Sequence, residues 1–104
     1  MRKAKVFVNG IEAGILTETK KGAEYSFEYH EGYDGLEVSR TMLTSQKKYT
    51  YTEFPPFFEG LLPEGIQLEG LLKLNKIDRN DLFSQLIAVG DEVVGVVTVK
   101  ELVE

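Results

Sequence analysis

The residue types that do chemistry are few in this chain, and their spacing does not suit it. There is one histidine, His30, and no cysteine. A serine or cysteine nucleophile needs a base within hydrogen-bond reach, and His30 has no evident serine and carboxylate partners. As a metal ligand it lacks a second candidate nearby, so a solvated side chain on the polar face of a strand is expected. Without thiols, disulfides and thiolate metal sites are excluded. The glycines between Gly60 and Gly70 are separated by leucines and prolines, and no lysine follows at phosphate-loop spacing. The 17 acidic residues are spread over 104 positions, the pattern of a solvated surface. Glu59 and Glu64 flank two leucines, but nothing around them suggests a cleft that would shift either pKa. No catalytic residue, metal or cofactor is expected, and the chain is read as not an enzyme.

Composition sets the frame for the elements. At 104 residues with 42% hydrophobic and 28% charged positions, the chain is expected to form a single folded domain spanning residues 1–104. The net charge of −5 argues against direct nucleic-acid binding and fits a basic partner. The start, MRKAKVFVNG, has too short an apolar run for a signal peptide. No run approaches the roughly 20 apolar residues of a membrane span. A soluble, cytoplasmic protein is expected.

The first element is a hairpin over residues 3–16. Asn9-Gly10 supplies the two positive-φ positions of a type I′ turn. With those two as the loop, Val8 faces Ile11, Val6 faces Ala13 and Ala4 faces Ile15 on one apolar face. Lys3, Lys5, Phe7, Glu12 and Leu16 fall on the other. Ala23, Tyr25, Phe27 and Tyr29 alternate with polar residues as a half-buried strand. Residues 36–43 are ambiguous, with a brief strand suggested at Leu36 to Ser39. Tyr49 and Tyr51 mark a short strand leading into the stretch around which the chain is organised, Phe54 to Gly65 (FPPFFEGLLPEG).

In that stretch Pro55 and Pro56 fix their φ angles, and a helix can start after them. Phe57, Phe58, Leu61 and Leu62 share one helical face, and Pro63 ends the helix near Leu62. Two uses stay open: a core helix that anchors the domain, or a docking corner at Leu62-Pro63-Glu64-Gly65. Ile66, Leu68, Leu71 and Leu72 predict a second helix, interrupted by Gly70, which close approach of another backbone would explain. Leu82, Phe83, Leu86 and Ile87 predict a third, with Asp78 as N-cap, Asp81 in its first turn and Gly90 as the C′ residue. The valines from Val93 to Val99 load both faces of a strand over residues 92–99. This predicts a central or doubly covered strand, with a bulge or close contact at Gly95, paired with the N-terminal hairpin.

FPPFFEGLLPEG, followed by DLFSQLIAVGDEVVGVV (Asp81 to Val97), resembles the N-terminal subdomain of HipA-type toxin kinases. There a PFF-x-x-LLP segment precedes a helix and then an Asp-x-Phe…Leu…Gly-Asp…Gly-x-Val segment. The short opening hairpin also fits. The family's ATP-binding and catalytic motifs have no matching positions here, so no catalytic residue carries over. A full HipA kinase continues far beyond this length. The resemblance therefore implies the HipS-like member of a split HipB–HipS–HipT system. As such, it would be a non-catalytic antitoxin that binds and restrains a separately encoded HipT- or HipA-like Ser/Thr kinase. The alternative is a scaffold subunit linking that kinase to a HipB-like helix-turn-helix partner and modulating operator repression. The partner-binding residues expected are Phe57, Phe58, Leu61, Leu62, Pro63 and Glu64. The fold expected is α+β: a mostly antiparallel curved sheet or open barrel of four to six strands, with about three short helices packed on one side.

Overall fold

The computed structural model describes residues 1–90 and 96–103. Five antiparallel strands form an open sheet in the order β4-β3-β2-β1-β5. They are β1 (Arg2–Val8), β2 (Ile11–Lys20), β3 (Glu24–Tyr29), β4 (Lys48–Tyr51) and β5 (Val97–Leu102). Three helices, α1 (Pro56–Glu59), α2 (Gly65–Asn75) and α3 (Leu82–Val89), lie between β4 and β5 in the chain. The fold is α+β as expected, with an open sheet rather than a closed barrel.

The β1–β2 turn forms at Asn9 (φ 52°) and Gly10 (φ 80°), as their side-chain chemistry dictates. Its register then departs from expectation. Val8 faces Ile11 and Phe7 faces Glu12, but Val6 faces Gly14, Lys5 faces Ile15 and Ala4 faces Leu16. Ala13 is an extra residue on β2, a β-bulge. Its carbonyl accepts a hydrogen bond from the His30 amide at 2.8 Å. Past the bulge the inward parity of β2 changes, so Leu16 becomes fully buried and Ile15 only half-buried. Gly14 then sits against β3, where a Cβ would lie 2.3 Å from the Glu28 carbonyl oxygen.

One face of the sheet carries the core. Ala4, Val6, Val8, Leu16, Tyr25, Phe27, Tyr29, Val97 and Val99 are buried there. Phe58 from α1 and Phe83 and Leu86 from α3 close over them. Phe27 and Phe58 approach to 6.2 Å between ring centroids, and Tyr25 meets Phe54 edge-on at 5.3 Å. The other face shows Lys3, Lys5, Glu12, Glu28, Lys48 and Lys100, none of them buried.

The pairing of β5 with β1 ties the two ends of the chain together, as expected. Among the described residues the strand spans Val97–Leu102, and it lies at the sheet edge, which corrects a central placement. Val93, Val94 and Gly95 lie outside the described residues. Residues 36–43 form a loop with an isolated Ser39–Met42 bridge instead of a strand. Tyrosine hydroxyls hold it. Tyr29 Oη accepts from the Val38 amide at 2.9 Å and donates to the Met42 carbonyl, while Tyr49 Oη donates to the Leu43 carbonyl at 2.8 Å.

Gly90 is the C-cap of α3 with helical φ −55°, which corrects its placement as a left-handed C′ residue. Its glycine has a packing reason: a Cβ there would lie 2.1 Å from the Val99 carbonyl oxygen. The Val99 amide donates to the Gly90 carbonyl at 3.2 Å. Gly70 is the opposite case, since a Cβ there meets nothing within 4 Å. Gly90→Ala is expected to lower unfolding free energy by roughly 1–3 kcal/mol through overpacking. Gly70→Ala is expected to raise it by up to about 1 kcal/mol through helix propensity. Urea unfolding of the two variants beside the parent chain checks both signs.

Candidate functional site

The Phe54–Gly65 stretch folds as its prolines require, but its helix is shorter than expected. Pro55 is the N-cap of α1 and Pro56 its first residue, so neither needs the amide proton it lacks. Regular helix ends at Glu59. The amides of Leu61 and Leu62 then donate to Phe58 and Glu59, each at 3.1 Å, in tighter three-residue turns. Pro63 separates these turns from α2, whose N-cap is Glu64 in an extended conformation.

The six expected partner-binding residues divide sharply. Phe58 is fully buried and packs on Phe27 and Phe57, so its side chain is committed to the core. Phe57, Leu61 and Leu62 are half-buried and lean on the core cluster. Pro63 is half-buried and Glu64 exposed. The corner therefore offers the outer sides of Leu61, Leu62 and Pro63 beside the Glu64 carboxylate. Glu59 is also exposed, and among the described residues neither glutamate has an ion-pair partner.

Helix α2 continues from this corner and was misjudged from the sequence. No residue on it is buried. Leu68, Leu71 and Leu72 are half-buried. Ile66 is 90% exposed and Leu74 86%. The apolar stripe counted Ile66 as inward, and Leu74 was not singled out. Their spacing with Gly70, at i, i+4 and i+8, is the available signal, because it defines a second apolar ridge on the opposite side.

A second feature went unnoticed in the sequence. Arg2 Nε and Nη2 donate to the Glu18 carboxylate at 2.7 and 2.9 Å. Nη2 and Nη1 also reach Asp81 at 2.9 and 3.2 Å, and Nη1 donates to Ser84 Oγ at 2.8 Å. The guanidinium lies 4.9 Å from the Phe83 ring centroid. Asp81, rather than Asp78, caps α3 by accepting from the Ser84 amide at 3.1 Å. Asp78 closes the preceding turn and accepts from the Asn80 amide at 2.8 Å.

Electrostatics follow from this geometry. The hydrogen bond to Glu18 raises the Arg2 pKa above its ordinary value against the effect of burial. Burial alone would raise Glu18, but the Arg2 and Gly22 hydrogen bonds outweigh it and hold the carboxyl low. Burial also opposes ionisation of Asp81, yet Arg2 and Ser84 bring its pKa down to about 2. A hollow of about 260 Å³ adjoins this cluster, lined in part by Lys21, Tyr25 and Asn80. Its Glu18 and Asp81 carboxylates are already engaged by Arg2, so neither is a free base. His30 pairs with Glu12 on the open face of the sheet, away from any such cluster. Among the described residues no group of acidic, histidine or cysteine side chains could hold a metal. Nor is any helix there long and apolar enough to cross a membrane.

Comparison with known proteins fits the architecture. The family model of the HipA N-terminal domain matches residues 4–100. The chain belongs to the HipA N-terminal domain family. It is 30% identical over 101 residues to an uncharacterized protein of Haemophilus influenzae, covering 97% of this chain and 93% of that one. It also superimposes on the N-terminal domain of HipA toxin with a TM-score of 0.77 at 28% identity, covering 100% of this chain and 95% of the other. The HipA N-terminal domain is a non-catalytic subdomain, and the family sets this chain in a toxin–antitoxin context.

The carboxylate pair gives a test of the Arg2 cluster. Folded-state pKa values below the ordinary ones, 3.8 for Asp81 and 4.5 for Glu18, mean stability that is fully present above that range. It is lost as pH falls through the folded values, down to about 2 for Asp81. Urea midpoints are expected to drop between about pH 4.5 and 2 in the parent chain. In Arg2→Ala they are expected to be lower at neutral pH and much flatter across that window, as read from a pH series of unfolding curves.

Proposed function

We propose that this chain is a HipS-like, non-catalytic antitoxin module. It binds and restrains a separately encoded HipT- or HipA-type Ser/Thr kinase toxin in the cytoplasm, acting as a single domain without cofactor. The observation that carries this reading is the α1–α2 corner. A protein that used FPPFFEGLLPEG only to build its core would bury it. Here Phe54, Pro55 and Phe58 do that, while Leu61, Leu62 and Pro63 stay half-covered beside the exposed Glu64. Family membership supports a toxin-related partner for that surface.

A split module must make between chains the contacts that a fused domain makes within one, so the surface has to supply affinity of its own. Glu59 and Glu64, without an ion-pair partner among the described residues, lie beside apolar Leu62 and Pro63 and suit a partner patch with an apolar centre and a basic rim.

Co-expression of this chain with the kinase core encoded beside it, without any DNA-binding partner, is expected to restore growth and yield a co-purifying complex. A complex without growth rescue counts against restraint of the kinase and favours the scaffold role. Changing Pro63→Ala and Glu64→Lys together is expected to leave the thermal unfolding midpoint near that of the parent and weaken the complex at least tenfold. Unchanged binding by the folded double variant removes the corner from the interface. Phe58→Ala is unsuitable for this purpose, since emptying a core phenylalanine site costs about 3–5 kcal/mol of stability.

A further inference from the structure

The outer face of α2 carries a feature that the chain's own fold leaves unexplained. Ile66, Gly70 and Leu74 lie one above another along the helix, and the two apolar side chains are almost wholly in water. Gly70 between them faces open space, with nothing within 4 Å of a Cβ position. A mid-helix glycine costs about 1 kcal/mol relative to alanine, and among the described residues no close approach offsets it. A hollow of about 580 Å³ borders the ridge at Ile66 and Gly70 and extends past Lys73 to the half-buried Leu72 and Ile77. Two apolar ridge residues flanking a glycine form a seat for a crossing helix, whose backbone can come close at the gap.

We infer that this ridge is the seat for an apolar helix of the kinase partner, continuous with the α1–α2 corner. The inference rests on the partner reading given above and names where the rest of that interface lies. Area narrows the occupant. On this face α2 presents Ile66, Gly70, Lys73 and Leu74, whereas a specific interface takes about 20–30 residues a side. A second copy of the chain, paired ridge to ridge, falls well short of that. A partner that covers the ridge together with the corner covers more of this chain, because Ile66 follows Glu64 by two residues. Charge points the same way. The corner's Glu59 and Glu64 are unpaired among the described residues and the whole chain carries −5, which favours a partner with basic groups over a like-charged copy.

The test uses the full chain and the kinase core encoded beside it, with binding read by titration calorimetry. Ile66→Asp with Leu74→Asp is expected to keep the circular-dichroism spectrum and thermal midpoint of the parent, since both side chains are already in water. It is expected to weaken kinase binding about a hundredfold or more. Gly70→Arg, which fills the gap from a position with free space around it, gives an independent measurement and is expected to weaken binding at least tenfold. If the parent binds and these folded variants bind within twofold of it, the ridge is not the seat, although the partner reading stands. If the parent itself does not bind the kinase core, the partner reading fails and the seat with it. Sedimentation of the chain alone supplies the remaining outcome: a dimer of the parent that the double variant abolishes assigns the ridge to a second copy and overturns the inference.

Discussion

The extra residue at Ala13 governs more of this structure than its size suggests. Without it, the two-residue turn at Asn9-Gly10 would set Arg2 opposite Thr17 and Ala4 opposite Ile15. With it, Arg2 faces Glu18 and Ala4 faces Leu16. That single slip turns Leu16 into the core beside Phe27 and puts a carboxylate where the first arginine of the chain can reach it. Gly14 is part of the same device. The bulge brings β2 so close to the Glu28 carbonyl that a side chain at that position would collide.

From Arg2 the constraint passes to the helices. Its guanidinium spans Glu18 on the sheet and Asp81 at the start of α3, and Asp81 in turn caps that helix. Glu18 is only 4% exposed, so its desolvation opposes ionisation, and the paired hydrogen bonds must overcome it. The pairing ties the start of α3 to β1 and β2 through one guanidinium. The other end of α3 is fixed by contact rather than charge, where Gly90 lies against the Val99 carbonyl. The sheet thus holds α3 at both ends, through β1 and β2 at the cap and through β5 at the C-terminus. Leu61 and Leu62 reach the core through α1, whereas α2 contributes no buried residue.

What could be read from the sequence followed from local chemistry. The Asn9-Gly10 turn, the alternation through β3, the proline start of α1 and the apolar face of α3 are each set by residues within a few positions of one another. The bulge was not legible because either register pairs apolar residues across β1 and β2. The loop after β3 was not, because hydroxyls of Tyr29 and Tyr49 fix it from outside. Edge and central strands cannot be told apart by valine content when the order of strands is unknown, which is why β5 was misplaced. Within the candidate site, Glu64 is exposed and Pro63 half-buried. The burial of Phe58 was not legible, because phenylalanine spacing looks the same whether it faces the core or a partner. Ile66 and Leu74 escaped notice for the converse reason, since helical periodicity assigns apolar residues inward by default.

That last failure carries physical content. At several other places in this chain local preference and tertiary packing agree: the turn residues turn, the capping aspartate caps, and the glycines at 14 and 90 sit where backbones press together. On α2 they disagree three times within nine residues, at an exposed isoleucine, an interior glycine with open space beside it and an exposed leucine. One scattered surface apolar residue needs no cause. Two on one helical ridge with an open glycine between them, beside a corner that is itself half-covered, are the pattern of a docking face. Gly70 lowers the helix propensity of α2, and among the described residues no contact at its Cβ position offsets that. Sequences keep such local conflicts where function requires them. On the partner reading proposed above, a surface broad enough to bury the corner and the ridge together supplies that missing contact.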